Sequence, residues 1–550
     1  MCLNRLGRTQ CQQQGATLII MLIIMVMGIA TALVSSLSST ALKNTRQQTN
    51  SATLSQAKEA LIAYAVTYGD SHSGKTHGYL PCPDLNTSVN PEGSSEPCGS
   101  QDVNTLGKLP WKTLGMPAQH DGNGECLWYA VSGTYKNNPA TAQTMNWDST
   151  GKLRIFSSSG NEILANEIVA VVIAPGATLS NQNRSSIAGT PVCGGNYLPE
   201  NYLDNDTEHN INNADITTGQ FILPHDHQDS NGNTSVSIND QFVYITRQDI
   251  WSSIQKRVAQ AAKQCLDDYA NSSSGKYPWA APVDTATDFN PFITGQFQTR
   301  FGRLSPLPSS QTEATPAAII SMQQQFTELW IALANFYANQ TAANRSTMRT
   351  KADAAKNAAE SVKGTYEDTS LKNPARSLKN AADNAKSLST SSSTTEITNA
   401  QQQLTVAANE FVAQLNTFLQ RDNNMSNTWP ISCTIFSSPE WDHWKNSIFH
   451  QISESFEPNG STNCGNCLSI EHDGQAMTGS GTYHATLVIA GKNLTNHTRS
   501  PSNISDYLED GNLLPQNDPA QTYKTYRVTD ANYPTVNDLV LCLNGTASCP

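Results

Sequence analysis

Among the residues of this sequence, two cysteines have the type and the spacing that most readily suggest redox chemistry. Cys464 and Cys467 have the spacing of thiol–disulfide exchange sites. Such a site needs the pair at the start of a helix within a βαβ unit, where the helix dipole lowers the pKa of one thiol. The polar segment 461–463 precedes the pair, and no βαβ unit is predicted around it. A small structural disulfide is therefore the favoured interpretation.

A Ser-x-x-Lys pair is the second catalytic candidate. Ser55 and Lys58 have this spacing, but they lie on a predicted amphipathic helix and the companion motifs of such a nucleophile are missing. The sequence also contains no nucleophile elbow, no phosphate-binding glycine loop and no zincin helix. We therefore expect that the protein is not an enzyme.

Three polar segments could supply ligands to calcium, which takes several oxygen ligands. They are His225-Asp226-His227, Asp204-Asn205-Asp206 and 229–233, and the candidate ligands are Asp204, Asp206, Asp229 and Asn231. None of these segments has the ligand order of an EF-hand. Asn, Asp and Gly also form turns, which explains the same residues without a metal. The turn interpretation is favoured, calcium is the alternative, and no other cofactor is expected.

The composition excludes one broad class of partner. The chain has 550 residues, a formal net charge of -12 and only 15% charged residues. A nucleic-acid reader needs a basic face that displaces counterions, and the sequence contains no cluster of Lys and Arg of that kind. We therefore expect no nucleic-acid partner. The length predicts more than one folding unit.

An apolar segment near the N-terminus is predicted to position the rest of the chain. Residues 16–37 contain no charged side chain, and as a helix they would be about 33 Å long, close to the thickness of the hydrocarbon core. Arg5 and Arg8 precede this segment, so the leader is expected to stay in the cytoplasm and the remainder to be exported. Apolar residues at three-to-four spacing, including Leu54, Leu61 and Tyr68, predict that the helix continues as an amphipathic stem.

The segment Gln14–Met27 resembles the start of the prepilins, which are the type IV pilins and the pseudopilins of type II secretion. The resemblance implies that a prepilin peptidase cuts between Gly15 and Ala16 and methylates the new N-terminus at Ala16. It also implies that the apolar helix is both membrane anchor and filament core. Ile20 stands where the family usually has a glutamate, which in the family's assembly model pairs with the N-terminus of a neighbouring subunit. The alternative interpretation is an ordinary signal anchor.

Ten of the twelve cysteines would remain after this cleavage, because Cys2 and Cys11 belong to the leader. An even number in an exported protein predicts disulfides. Nearness in sequence pairs Cys82 with Cys98, Cys464 with Cys467, and Cys542 with Cys549. The other four allow three connectivities, of which we favour Cys126 with Cys193 and Cys265 with Cys433.

The remainder of the chain contains an internal repeat. Residues 171–185 match 487–500 with one gap at Pro175, and further matches follow in the same order. These are Tyr202-Leu203-Asp204 with Tyr507-Leu508-Glu509, Asn239-Asp240 with Asn537-Asp538, and 242–245 with 539–542; upstream, Gly107-Lys108-Leu109-Pro110 matches Gly302-Arg303-Leu304-Ser305-Pro306. Two related modules are the favoured explanation, and two unrelated sheets with similar loops are the alternative.

These observations predict an α+β fold. A long N-terminal pilin-like helix, with a membrane-spanning half and an amphipathic stem, would carry a head of two related helix-on-antiparallel-sheet modules. The expected divisions are a leader at 1–15, the transmembrane helix and start of the stem at 16–52, a first module at 53–249 and a second at 250–550. An inserted helical hairpin is expected at 313–421, because two apolar stripes flank a polar segment from about 345 to 395. A structural spacer is favoured for this insertion, and a partner-binding arm is the alternative.

The function that follows from the resemblance is structural. We expect a minor pilin or pseudopilin-like subunit, anchored in the inner membrane by a single helix and carrying a large periplasmic head. The bulk of the head and the absence of the usual glutamate at Ile20 favour a tip or initiating position in a type IV pilus or type II secretion pseudopilus. Its partners would be other pilins or pseudopilins, bound through the N-terminal helix. The alternative is an adhesin displayed at the tip of a pilus on the cell surface.

Overall fold

A computed structural model describes most of the chain after its N-terminal leader. The described residues are 14–86, 90–136, 144–187, 190–228, 234–283, 299–310, 315–367, 369–419, 425–426, 428–464, 467–494, 498–509, 512–513, 522–525 and 537–543. The chain divides into two compact units. The first contains residues 1–67, 79–143 and 150–250, and the second contains 68–78, 144–149 and 251–550. Two short segments of the expected first module, 68–78 and 144–149, thus belong to the second unit.

In the described part of the chain up to residue 245, the structure has one α-helix and eleven strands, besides short 3-10 helices. They are α1 (Gln14–Ser71), β1 (Thr105–Lys108), β2 (Trp128–Val131), β3 (Leu153–Phe156), β4 (Ile163–Ile168), β5 (Ala170–Ala174), β6 (Asn205–Asp206), β7 (Ile211–Asn212), β8 (Gln220–Ile222), β9 (His225–Gln228), β10 (Thr234–Ile238) and β11 (Gln241–Ile245). An antiparallel four-stranded sheet, in the order β1-β2-β5-β11, is the centre of the first unit.

The elements after residue 245 are mainly helical. They are α2 (Arg247–Ser272), β12 (Phe301–Arg303), α3 (Ala317–Ala338), α4 (Ala342–Thr365), α5 (Lys372–Ser387), α6 (Thr394–Leu419), α7 (Pro439–Trp444), β13 (Ile448–Ile452), β14 (Ser469–His472), β15 (Gln475–Ala476), β16 (Ala485–Ile489), β17 (Thr522–Thr525) and β18 (Leu539–Leu543). A second antiparallel four-stranded sheet has the order β12-β13-β16-β18.

Each four-stranded sheet buries one face in an apolar core and is contacted by a helix. In the first unit, Trp128 and Ile173 lie in the core, and Asn50 of α1 donates a hydrogen bond to Gln241 over 3.0 Å. In the second unit, Phe449 and Val488 lie in the core, and the buried Nε2 of Gln255 in α2 donates to the carbonyl oxygen of Ile489 over 3.0 Å. Both units are therefore helix-on-sheet layers.

The pairing register shows how the two sheets correspond. Ile173 pairs with Trp128 and Phe242, and Val488 pairs with Phe449 and Val540. Both central strands lead, three residues later, to a glycine, Gly176 or Gly491, that lies against the side chain of an asparagine in the Asn-Asp repeat. Ile173 therefore corresponds to Val488 rather than to Ile489. The gap placed at Pro175 is wrong, because a one-residue slip would turn every side chain of the strand to the opposite face.

The expected fold is wrong in its first element. No helix in the described part of the chain is long and apolar enough to cross a membrane. From Ala41 to Thr49 the side chains are exposed and mostly polar. The structure thus does not show the membrane-spanning half of a pilin-like helix or a single-pass anchor.

The expected helical hairpin is also wrong, because the insertion is a bundle of four helices. Helices α3 to α6 share one buried core, which includes Phe326, Leu333 and Leu404. The segment expected to be polar forms α4 and α5, whose buried faces consist largely of alanines such as Ala355 and Ala382. Alanine has a high helix propensity and its small side chain allows helices to approach closely, so a search for large apolar residues misses such a face.

Candidate functional site

The N-terminal part of α1 is a candidate surface for assembly, because its described side chains are exposed and several are apolar. Met21, Leu22, Ile24, Met25 and Val26 are each more than half exposed. Contiguous exposed apolar surface of this kind is typical of interaction sites rather than of free protein surface. The first described residue of the helix that is buried after this segment is Asn50.

The packing of α1 against the first unit begins at Asn50. Its side-chain oxygen accepts a hydrogen bond from the backbone N–H of Gly122 over 2.5 Å, while its amide donates to Gln241. Further along the helix, Lys58 Nζ lies 3.1 Å from Asp249 Oδ2. The stem predicted from the apolar spacing is therefore the part of α1 that the first unit holds, with Leu54 and Leu61 buried.

The predicted processing residues lie at the start of α1. Gly15, Ala16 and Ile20 are in the helix, which begins at Gln14, and their side chains are outside the described part of the structure. The leader before Gln14 also lies outside the described residues.

A buried arginine organises the end of the central strand in the first unit. Arg184 donates to the carbonyl oxygens of Gly176 over 2.9 Å and Asn201 over 3.1 Å, and its guanidinium lies 4.9 Å from the ring centre of Tyr202. A single planar guanidinium therefore joins three loop segments, which its five donors allow.

The second unit repeats this arrangement with Arg499. This side chain donates to the carbonyl oxygens of Gly491 over 2.7 Å and Asp506 over 2.8 Å, and it lies 4.7 Å from the ring centre of Tyr507. The same contacts at matching positions, together with the same strand order, support two related modules.

A pair of buried acids lies beside each arginine. Burial raises the pKa of Asp204 to about 6, and burial together with the charge of Asp204 raises the pKa of Asp240 well above its ordinary value. In the second unit, burial and the charge of Asp538 raise the pKa of Glu509 to about 9, and burial raises the pKa of Asp538 to about 6. Asp204 thus belongs to a carboxyl pair that the fold buries.

A different cluster in the first unit has the donor atoms of a metal site. Asp206, His209 and His225 each offer one ligand atom, and these atoms lie within 4.8 Å of one another. Asp206 Oδ2 lies 2.6 Å from His209 Nδ1 and 3.3 Å from His225 Nε2. Burial raises the pKa of Asp206, but hydrogen bonds from the side chain and backbone of His209 and the backbone of Glu208 outweigh it, and the resulting pKa is lower than usual. The carboxylate form is therefore favoured.

The structure brings together only part of the predicted calcium ligands. Asp206 is in the cluster, Asp204 is in the acid pair, and Asp229 and Asn231 lie outside the described residues. His209 is not among the site residues predicted from the sequence. A histidine three residues after an aspartate in a turn, with His225 further on, is a signal that could have indicated it.

The remaining predicted site residues have structural contacts. Disulfides join Cys82 to Cys98, Cys126 to Cys193, Cys265 to Cys433 and Cys464 to Cys467. Cys542 is also disulfide-bonded, whereas Cys549 lies outside the described residues. Lys58 pairs with Asp249, and Ser55 is exposed on α1.

Comparisons with known proteins identify no relative, since no family model, no curated protein and no solved structure matches this chain. The disulfides indicate at most an oxidising compartment.

Proposed function

We propose that this protein is an exported structural subunit of a pilus-like or pseudopilus-like assembly, which joins its neighbours through the exposed N-terminal part of α1. The observation that carries the proposal is the exposed apolar side chains at Met21, Leu22, Ile24, Met25 and Val26. They precede the part of the helix that the first unit buries, so they are accessible to a neighbouring subunit.

The leader sequence supports the same proposal. Its resemblance to prepilins implies cleavage between Gly15 and Ala16, and α1 begins at Gln14, next to that bond. The disulfides fit a location in the periplasm or at the cell surface. Ile20, which cannot offer a carboxylate to a neighbour, favours a tip or initiating position over repeated incorporation along a shaft.

Mass spectrometry of the mature N-terminus tests the processing step. We expect the chain from native cells to begin with N-methyl-Ala16, and we expect Gly15→Val to leave the leader attached. Gly28→Val is the matched control, since this glycine lies in the same apolar segment but away from the cleavage bond, and it should be processed like the wild type. An intact leader in the wild-type protein would overturn the proposal.

Immunogold labelling of sheared filaments tests the position in the assembly. We expect label at filament ends in the wild type and additional label along the shafts for Ile20→Glu, because the new carboxylate supplies the partner that a following subunit needs. Gln48→Glu, which adds a carboxylate to the exposed polar part of α1 outside this apolar surface, is the control and should keep the end label and add no shaft label. Regular labelling of wild-type shafts would contradict a tip position.

The second candidate function is an adhesin or binding protein, and a groove on the four-helix bundle favours it. The groove has a volume of about 470 Å³ and lies between α5 and α6. Its lining includes amide side chains such as Asn380, Asn399 and Gln402, and Asn384 donates to Gln403 across it over 2.7 Å. Amide donors and acceptors suit a hydroxyl-rich ligand. Loss of adhesion with normal filaments in Asn380→Ala/Asn399→Ala cells would support this candidate.

A further inference from the structure

The geometry of Asp206, His209 and His225 points to a binding site for a divalent transition metal of the zinc class in the first unit. The site differs from the calcium site considered from the sequence, because two of its three donors are imidazole nitrogens. Imidazole suits zinc, copper, nickel and iron, whereas calcium and magnesium prefer oxygen ligands.

The hydrogen-bond geometry of His225 supplies the first argument. Its Nδ1 lies 3.1 Å from the carbonyl oxygen of Leu223, and because a carbonyl only accepts, Nδ1 carries the proton. In the neutral ring, Nε2 then carries a lone pair and can only accept a hydrogen bond or bind a cation. This nitrogen is buried, makes no hydrogen bond and lies 3.3 Å from the carboxylate oxygen of Asp206. A cation held between these two atoms, either the proton of a charged imidazole or a metal ion, satisfies both of them, and a backbone carbonyl on the opposite nitrogen is the usual orienting partner of a metal-bound histidine.

The distances supply the second argument. Two atoms that each lie about 2.1 Å from a zinc ion and 3.3 Å from one another subtend about 105° at the metal, close to the tetrahedral angle. Asp206 Oδ2 and His209 Nδ1, now at hydrogen-bond distance, would separate by about 0.7 Å when the metal replaces the proton between them. The side chains are only 1%, 19% and 12% exposed for Asp206, His209 and His225.

The backbone holds the imidazole of His209 in place. Gly160, in the turn between β3 and β4, has a φ of 68°, and a Cβ atom there would collide with the ring of His209. Glycine tolerates this left-handed conformation and leaves the space that the ring occupies.

The comparison of the two modules supplies the third argument. Asn213 and Asn512 correspond, because each donates to the second acid of its pair, Asp240 over 2.9 Å and Asp538 over 3.0 Å. Between the first acid and this asparagine, the first module has residues 205–212 and the second has only 510–511. Asp206 and His209 therefore lie in a hairpin, β6–β7, that only the first module contains. A metal bound to them and to His225 would tie this hairpin to β9 and β10.

Metal binding to the full, untagged chain tests the inference. After chelator treatment and dialysis, we expect the protein to bind one equivalent of Zn²⁺ in isothermal titration calorimetry, and Co²⁺ to give the visible absorption of a four-coordinate site. Zn²⁺ should also raise the melting temperature, because the ion binds only the folded chain. Ca²⁺ at the same concentration should have neither effect.

Variants assign the site to these residues. Loss of a residue that only orients a metal ligand weakens metal binding roughly 10- to 100-fold. His209→Gln and His225→Gln each remove a ligand itself, so each should weaken Zn²⁺ binding by at least that factor. Asp226→Asn, which changes an exposed neighbour on the same strand, should bind like the wild type. Absence of stoichiometric Zn²⁺ binding by the wild type would overturn the inference whether or not the variants fold, and so would wild-type affinity in His225→Gln. The outcome is independent of the proposed assembly function.

Discussion

Asp204 and Asp240 share one buried corner of the first unit, where the backbone N–H of Asp204 donates to Asp240 Oδ2 over 2.8 Å. The second unit repeats the relationship, because the N–H of Glu509 donates to Asp538 Oδ2 over 3.4 Å. A buried acid of each pair thus serves as a backbone acceptor, which satisfies a loop N–H but places two carboxyl groups side by side. One group of each pair must hold its proton to a higher pH than usual.

This pairing predicts a decline in stability as the pH rises. The folded state binds a proton on Glu509 more tightly than the unfolded state does, so the stabilisation is complete below the unfolded pKa of 4.5 and is lost as the pH rises through about 9. We expect Glu509→Gln, which resembles the protonated acid, to be close to the wild type at pH 5. At pH 9 it should be more stable than the wild type by at least about 1 kcal/mol.

Urea denaturation at both pH values measures this difference. Glu410→Gln changes an exposed carboxylate of α6 and is the control, which should follow the wild type across the range. The explanation would be contradicted if the difference in the free energy of unfolding between Glu509→Gln and the wild type were the same at pH 5 and pH 9.

The duplicated arginine predicts a second effect. Arg184→Lys retains the positive charge but cannot reach the carbonyl oxygens of Gly176 and Asn201 together. We expect a loss of about 1–3 kcal/mol in the free energy of unfolding, the cost of leaving a buried polar group without its partner. Arg499→Lys, in the second unit, should lower the free energy of unfolding by a similar amount. Arg154→Lys, on an exposed position of β3, should remain within about 0.5 kcal/mol of the wild type; equal stability of all three variants would refute a special role for the buried pair.

The four-helix bundle predicts a third effect. Leu333 is fully buried in the core of the bundle, whereas Ile331 on the same helix is 48% exposed. Leu333→Ala should cost about 2–5 kcal/mol, since it removes buried apolar contacts and leaves a cavity, and Ile331→Ala should cost far less. Thermal unfolding followed by circular dichroism at 222 nm compares them. Similar losses in both variants would indicate that α3 is not packed as described.

The disulfides predict an order of importance. The Cys265–Cys433 bond closes a loop with a sequence separation of 168, and the Cys464–Cys467 bond closes one with a separation of 3. Because a longer closed loop restricts the unfolded chain more, replacing both cysteines of the first pair by serine should cost about 2–5 kcal/mol. The double serine variant of the second pair should cost less. Guanidinium denaturation of both variants measures the order, and a greater loss for the short loop would contradict it.

A substantial part of the fold could be predicted from the sequence, because residues that recur in the sequence repeat make equivalent contacts in the two modules. The glycine, arginine, tyrosine and Asn-Asp positions of the repeat recur in the structure as Gly176 and Gly491, Arg184 and Arg499, and the acid pairs. The sequence could not place the strand register, however, since Val, Leu and Ile are interchangeable on a buried strand. The burial of Ile173 and Val488 in the cores, and the contacts of Gly176 and Gly491 with the asparagines of the repeat, show that Ile173 corresponds to Val488.

Two expectations failed for physical reasons that concern burial. The spacing of large apolar residues predicts only two packed helices, because the alanine faces of α4 and α5 contain few such residues. The apolar composition of 16–37 was taken as a membrane span, whereas no helix among the described residues is long and apolar enough to be one. Composition alone does not state which surface an apolar side chain contacts.

By itself, the sequence determined the class of secondary structure, the internal repeat and the pairs of cysteines close enough to join, and it supplied the resemblance to prepilins on which the proposed function depends. These are local properties, set by residue type and spacing along the chain. Only the tertiary structure decided the strand register, the closure of four helices around one core, and the meeting of Asp206, His209 and His225. Such contacts join residues far apart in sequence, and their geometry depends on how the layers between them pack.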